Sequence, residues 1–207
     1  MKEQAISIPS GDLKLEGLLA TPTAGASVRG AVVCHPHPLY GGSMHNNVVE
    51  AALEALWRLG YATLRFNFRG VGGSDGEHSG GVGEADDAKA ALRCLLAQPG
   101  IVGDGAVMAG YSFGAAVAMR AGVELKEVGT ILAIALPVGM SDFSSLVTNG
   151  KKIVLVAGDR DSYCPERAIK TLAQSSGAKL DMIDGADHFF GGYEEVLADE
   201  IAKLLGA

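Results

Sequence analysis

Ser112 stands in the segment Val107-Met108-Ala109-Gly110-Tyr111-Ser112-Phe113-Gly114-Ala115-Ala116, a G-x-S-x-G sequence with an apolar run before it and an alanine-rich run after it. A serine in that setting reads as a nucleophile on a sharp strand-to-helix turn, its hydroxyl raised above the end of a sheet. Glycines at 110 and 114 leave space that a Cβ would fill, and the helix N-terminus favours negative charge. The backbone N–H of Phe113 would face a developing oxyanion. A serine hydroxyl needs a base to take its proton, and the base needs a carboxylate to hold its tautomer. Among His35, His37, His45, His78 and His188, only His188 follows Ser112, and serine, acid, histidine is the chain order expected on such a sheet. The acid should follow a strand. Asp159 and Asp161 both follow the apolar run at 153–157, and Asp142 follows the run before it. Asp161 is preferred, because a turn needs room to bring a carboxylate back towards His188; Asp159 and Asp142 remain rivals. Asp187, adjacent to the histidine, reads as a loop-shaping residue.

The loop His35-Pro36-His37-Pro38-Leu39-Tyr40-Gly41-Gly42 follows another apolar run. It sits where a second oxyanion donor is needed. Its prolines have no N–H to give, so the donor is the backbone of His37 or, second, of Leu39. His35 and His37 could instead share a metal as a His-x-His pair. No cysteine or acidic cluster accompanies them, and no metal is expected. The loop Asn67-Phe68-Arg69-Gly70-Val71-Gly72-Gly73-Ser74-Asp75-Gly76 departs from a dinucleotide fingerprint, because Asp75 stands where G-x-G-x-x-G requires glycine. There is no G-x-x-x-x-G-K-[ST] sequence, so no nucleotide or other cofactor is expected, and this loop is expected to form a wall of the cleft. Leu39, Tyr40, Tyr111 and Met140 are the candidate substrate-lining residues, with Phe113 and Val138 beside them.

Residues of these types are useful only if a sheet presents them together. Runs at 31–34, 106–109, 131–136 and 153–157 are apolar without alternation, as in strands buried on both faces of a parallel sheet. Segments 61–68 and 179–183 are further strand candidates. Val49, Ala52, Leu53 and Leu56 follow the i, i+3, i+4, i+7 spacing of a helix. Ala88, Ala91, Leu92 and Leu95 repeat it, and Leu197, Ile201, Leu204 and Leu205 mark a helix near the end. Helices are also expected from Pro165 to Gln174 and directly after Ser112. Ile6 and Ile8, then Leu13 and Leu15, alternate around Pro9-Ser10-Gly11-Asp12, which predicts an antiparallel hairpin. A hairpin followed by strand–helix repeats predicts a mostly parallel sheet with an antiparallel N-terminal edge and helices on both faces.

Composition sets outer bounds. The 207 residues include 29 glycines without a collagen period and 48 % hydrophobic residues, which excludes a disordered chain. One domain over 1–207 is expected. A net charge of −7 with scattered Lys and Arg argues against nucleic acid as a partner. No apolar run approaches a membrane span, and the N-terminus carries no signal-peptide pattern. Cys34, Cys94 and Cys164 are far apart and odd in number, which points to free thiols and a cytoplasmic location. Monomer and homodimer are both compatible with the sequence.

Five motifs in order, His35 to Gly42, Asn67 to Ser74, Gly110 to Gly114, Gly158 to Asp161 and Asp187-His188, resemble the α/β-hydrolase superfamily over nearly the whole chain. The resemblance is greatest to small bacterial hydrolases of the dienelactone-hydrolase type. It implies an eight-stranded α/β/α sandwich, a Ser112/Asp161/His188 triad, and preference for Asp161 over Asp142. The superfamily's oxyanion loop usually begins His-Gly, whereas here it begins His35-Pro36. Many relatives insert a lid before the acid strand; here the interval between about Pro137 and Ile153 is too short for one. The expectation is a capless serine hydrolase acting on small soluble carboxylic esters through an acyl-enzyme. Amides, peptides or thioesters are alternative substrates of the same triad, and a non-catalytic ligand-binding protein on the same fold is the alternative of another class.

Overall fold

A computed structural model describes residues 1–22, 27–141, 143 and 148–206. The chain opens with the hairpin β1 (Gln4–Ser10) and β2 (Leu13–Ala20). Gly11 and Asp12 close it in two residues, and Gly11 has φ 59°, a left-handed conformation that glycine adopts at little cost. There follow β3 (Val28–Cys34), α1 (Asn47–Arg58), β4 (Ala62–Phe66), α2 (Val82–Leu96), β5 (Ile101–Tyr111), α3 (Phe113–Gly122), β6 (Val128–Ile134), β7 (Lys152–Gly158), α4 (Glu166–Ser176), β8 (Lys179–Ile183) and α5 (Glu194–Gly206). The strands form one sheet in the order β1-β2-β4-β3-β5-β6-β7-β8. β1 and β2 pair antiparallel, β2 meets β4 antiparallel, and the remaining neighbours are parallel.

The absence of alternation in the apolar runs has a direct cause. Val32 and Cys34, Met108, Ile131, Ala133 and Leu155 pack into one core. Their chain neighbours Ala31 and Val33, Val107 and Ala109, Leu132 and Ile134, Val154 and Val156 pack into a second core on the opposite face. α2, α3 and α4 cover the first face, and α1 and α5 cover the second. α1 and α2 bury the stripes their spacing announces, Val49, Ala52, Leu53 and Leu56 in the first and Ala88, Ala91, Leu92 and Leu95 in the second; in α5 Leu197 and Ile201 are buried and Leu204 and Leu205 partly so. Asn46 caps α1, its side chain accepting from the Val48 N–H at 2.9 Å. Pro165 is the cap of α4 rather than its first residue.

The main departure from the expected elements is β5, which starts at Ile101 rather than near Ala106. Its first half contains Gly103, Asp104 and Gly105, and its pairing slips against both neighbours. That half is partly exposed, so it carries no apolar run. Among the described residues no helix occurs between β6 and β7, and no lid covers the carboxyl ends of the strands. Among the described residues no helix is long and apolar enough to cross a membrane.

Candidate active site

The carboxyl end of β5 sits at the middle of the sheet, where the chain leaves Tyr111, turns at Ser112 and enters α3. Ser112 has φ 54° and ψ −118°, a conformation that costs a non-glycine residue of order 1–3 kcal/mol. Packing on both sides holds it there. The Ser112 N–H donates to the Ile134 carbonyl at 2.9 Å, and its carbonyl accepts from Ala115 and Ala116 at 2.9 and 3.2 Å. A Cβ on Gly110 would collide with the Gly114 carbonyl oxygen, and one on Gly114 with the carbonyl oxygens of Cys34 and His35. The first turn of α3 therefore lies directly on the end of β3, and only glycine fits at either position. The Phe113 N–H has no acceptor among the described residues and points from a helix N-terminus.

His188 enters from the loop after β8 and Asp161 from the loop after β7. His188 Nε2 lies 2.9 Å from Ser112 Oγ, and His188 Nδ1 lies 2.7 Å from Asp161 Oδ2. Both side chains are buried, Asp161 to 4 % exposure and His188 to 8 %. Asp161 Oδ1 accepts from the N–H groups of Tyr163 and Cys164 at 2.8 and 2.9 Å, so its second oxygen is fixed towards the imidazole. With Nδ1 keeping its proton and donating it in a hydrogen bond to that oxygen, the lone pair of Nε2 faces the serine hydroxyl. Beneath the ring, the Tyr111 hydroxyl donates to the His188 carbonyl at 2.9 Å. Burial first, and then the charges of Asp161 and Asp187, push the Tyr111 phenol well above its ordinary range, which keeps it a neutral donor.

The other acids near the site serve the backbone. Asp159 accepts from the Gly185 N–H at 2.8 Å and so ties the acid loop to the histidine loop. Asp187 accepts from the Phe189 N–H at 2.9 Å, shaping the turn after it. Asp142 lies outside the described residues. Cys164, next to Asp161 in space, is no rival nucleophile: burial, and then the Asp161 charge, push its thiol up to about 12.

The loop after β3 divides the work of its two histidines. His35 is fully buried. Its Nε2 accepts the Phe68 N–H at 3.0 Å and its Nδ1 donates to the Pro36 carbonyl at 2.6 Å. Burial lowers its pKa to about 4, so it is a neutral brace between the loops after β3 and β4. Both of its nitrogens have partners, which leaves no shared lone pair for a His-x-His metal. His37 Nδ1 accepts the Leu39 N–H at 3.2 Å. That N–H is taken, whereas the His37 N–H has no acceptor among the described residues. The His37 ring stacks at 4.8 Å from Tyr40, 4.9 Å from His78 and 4.8 Å from Phe113. Burial, and then the neighbouring His78, lower its pKa.

The expected substrate-lining residues separate into two groups. Leu39, Tyr40 and Met140 are exposed. Tyr111 must be corrected: at 3 % exposure it is a support under His188 rather than a cleft wall, because its side chain points to the α5 side of the sheet. The loop after β4 is also more than a wall. Asn67 accepts from the Met44 N–H at 2.8 Å and donates to Glu16, and Ser74 bonds the Asn67 carbonyl at 2.7 Å. These bonds bind the loop to β2 and to the segment before α1.

Two buried acids in α2, Glu84 and Asp87, were not among the expected site residues. Asp87 accepts from Ser10 Oγ, Arg69 Nε and the Arg69 N–H at 2.7, 2.9 and 3.1 Å. Glu84 accepts from the N–H groups of Ser79 and Gly81 at 2.8 and 2.6 Å. Burial alone would raise the Glu84 pKa, but these bonds bring it below its ordinary value. One signal was available: both acids fall on the i, i+4 stripe that Ala88, Ala91 and Leu95 continue as apolar.

A parallel sheet, an unroofed end, and a serine, histidine and carboxylate joined there by hydrogen bonds define an α/β hydrolase. Residues 31–150 match the α/β hydrolase family profile, and the chain belongs to that family. It is 41 % identical over 187 residues to the uncharacterized protein RP471 of Rickettsia prowazekii, covering 86 % of this chain and 78 % of that one. Among solved structures it is similar to an α/β serine hydrolase homologue from Coxiella burnetii, with 35 % identity, TM-score 0.85 and coverage of 98 % and 97 % of the two chains. It is also similar to XC6422 of Xanthomonas campestris, described as an α/β serine hydrolase without a lid, with 33 % identity, TM-score 0.87 and coverage of 100 % and 94 %.

Proposed function

We propose that the protein is a carboxylic ester hydrolase that works through an acyl-enzyme on Ser112. Ser112 Oγ attacks the acyl carbon as its proton passes to His188 Nε2. Asp161 holds the imidazole and stabilises its positive charge. The Phe113 and His37 N–H groups bind the oxyanion, each contributing about 2.7–4 kcal/mol of transition-state stabilisation. His188 then gives its proton to the departing alkoxide. Water, activated by the same base, attacks the acyl-enzyme, releases the acid and restores Ser112.

The observation that supports this reading most is the pair of hydrogen bonds at 2.9 and 2.7 Å that link Ser112, His188 and Asp161. With no lid among the described residues, the site favours small soluble esters over long-chain lipids, because little covers a long chain. The reaction draws on protein groups alone, and the free thiols Cys34, Cys94 and Cys164 suit a cytoplasmic setting. The test is hydrolysis of short p-nitrophenyl esters by the wild type and by Ser112→Ala. The expected loss in kcat is about a million-fold, the scale measured for a serine protease lacking its nucleophile. Equal rates in the two proteins would end the proposal.

A further inference from the structure

A groove of about 730 Å³ opens between the segment after β6 and helix α4. Val138, Met140, Phe143, Pro165, Ala168 and Leu172 make its apolar lining. It adjoins the site through Tyr163. The Gly139 N–H donates to the Tyr163 carbonyl at 3.1 Å, and the Tyr163 ring lies 4.8 Å from the ring of His188. A Cβ on Gly139 would come within 3.0 Å of that carbonyl and 3.1 Å of Pro165 Cδ. Glycine thus lets the loop lie against the entry to α4 and form one end of the groove.

The sheet order gives this groove a direction relative to the reaction. The oxyanion loop leaves β3 and Ser112 leaves β5, while the walls of the groove leave β6 and β7. Groove and oxyanion loop therefore lie on opposite sides of Ser112. A bound ester must point its carbonyl oxygen at Phe113 and His37. Its departing oxygen must come within hydrogen-bond reach of His188 Nε2, because that nitrogen supplies the proton. The alcohol half then lies on the side of His188 and Tyr163, which is the side of Ser112 on which the groove lies.

We infer that this groove binds the alcohol half of the ester, and that the preferred alcohol is an apolar alkyl or arylalkyl group. The inference rests on the hydrolase reading above and assigns a leaving-group specificity to the same site. The acyl half has no part in the groove. Each methylene of the alcohol buried against Leu172, Ala168 and Met140 raises kcat/KM up to about fourfold.

Two series of esters test the inference by pH-stat titration: acetates of methyl, butyl, hexyl and benzyl alcohols, and methyl esters of acetic, butyric and hexanoic acids. In the wild type, kcat/KM should rise at least tenfold from methyl to hexyl acetate and change little along the acyl series. Ala168→Phe, or Thr171→Phe on the same wall of α4, should flatten the alcohol series to within about twofold. Two substitutions guard against a folding defect in either one, and a wild-type circular dichroism spectrum and melting transition identify the folded variant. An active wild type with a flat alcohol series overturns the inference alone, as do variants that flatten only the acyl series. A wild type inactive on every ester overturns the hydrolase reading, and this inference with it.

Discussion

Tyr111 holds the backbone of His188 from inside the sheet, where no substrate reaches it. Tyr111→Phe removes one hydrogen bond and leaves a buried carbonyl unpaired, a cost of about 1–3 kcal/mol. The expected result is a lower melting temperature and a fall in kcat with little change in KM, measured by calorimetry and steady-state kinetics. His35 yields a pH prediction. Its folded pKa, about 4, lies below the ordinary 6.5. As pH falls through 6.5 the unfolded chain takes up a proton that the folded chain refuses. Stability is therefore complete above about 6.5 and declines down to about 4. The full loss is on the order of 3 kcal/mol, from 1.36 kcal/mol per pKa unit. Urea unfolding across this range should show the decline, and His35→Gln should reduce its slope. An equal slope in the variant would contradict the brace described for His35.

Gly114 and Asp87 show what the elements require of single positions. Gly114→Ala places a methyl group inside the carbonyls that end β3, so α3 must move and carry Ser112 with it. Loss of soluble folded protein, or of measurable turnover, is expected by circular dichroism and ester assay. Asp87→Ala leaves Arg69 and Ser10 without their shared acceptor. Breaking a buried ion pair in this way costs about 3–5 kcal/mol, to be read from urea midpoints. The strands behind these sites were legible because residues buried on both faces form unbroken apolar runs. The elbow was legible because steric need had selected glycines around Ser112. The first half of β5 was not, since Gly103, Asp104 and Gly105 are partly solvated. The roles of His35 and Tyr111 were not legible either. A buried histidine and a reactive one share a residue type, and only the partner atoms distinguish them. Spacing also left Asp159 and Asp161 open; the choice depends on which carboxylate turns inward, and Asp159 turns to the Gly185 N–H.

At the scale of the molecule, the catalytic end of the sheet is open and apolar. Leu39, Tyr40, Met140, Tyr163 and Phe189 are all exposed on loops at the carboxyl ends of the strands, and no lid shields them among the described residues. The helices on the two faces carry the stability, which leaves those loops free to present chemistry. Ser112 itself is partly exposed at this end of the sheet. A serine activated by His188 should react with a fluorophosphonate in the resting enzyme. The most direct measurement is mass spectrometry of the labelled protein after proteolysis. One adduct, on the peptide bearing Ser112 and absent when His188 is replaced by Ala, is the predicted result. An unlabelled Ser112, or labelling that survives the loss of His188 undiminished, would contradict the account.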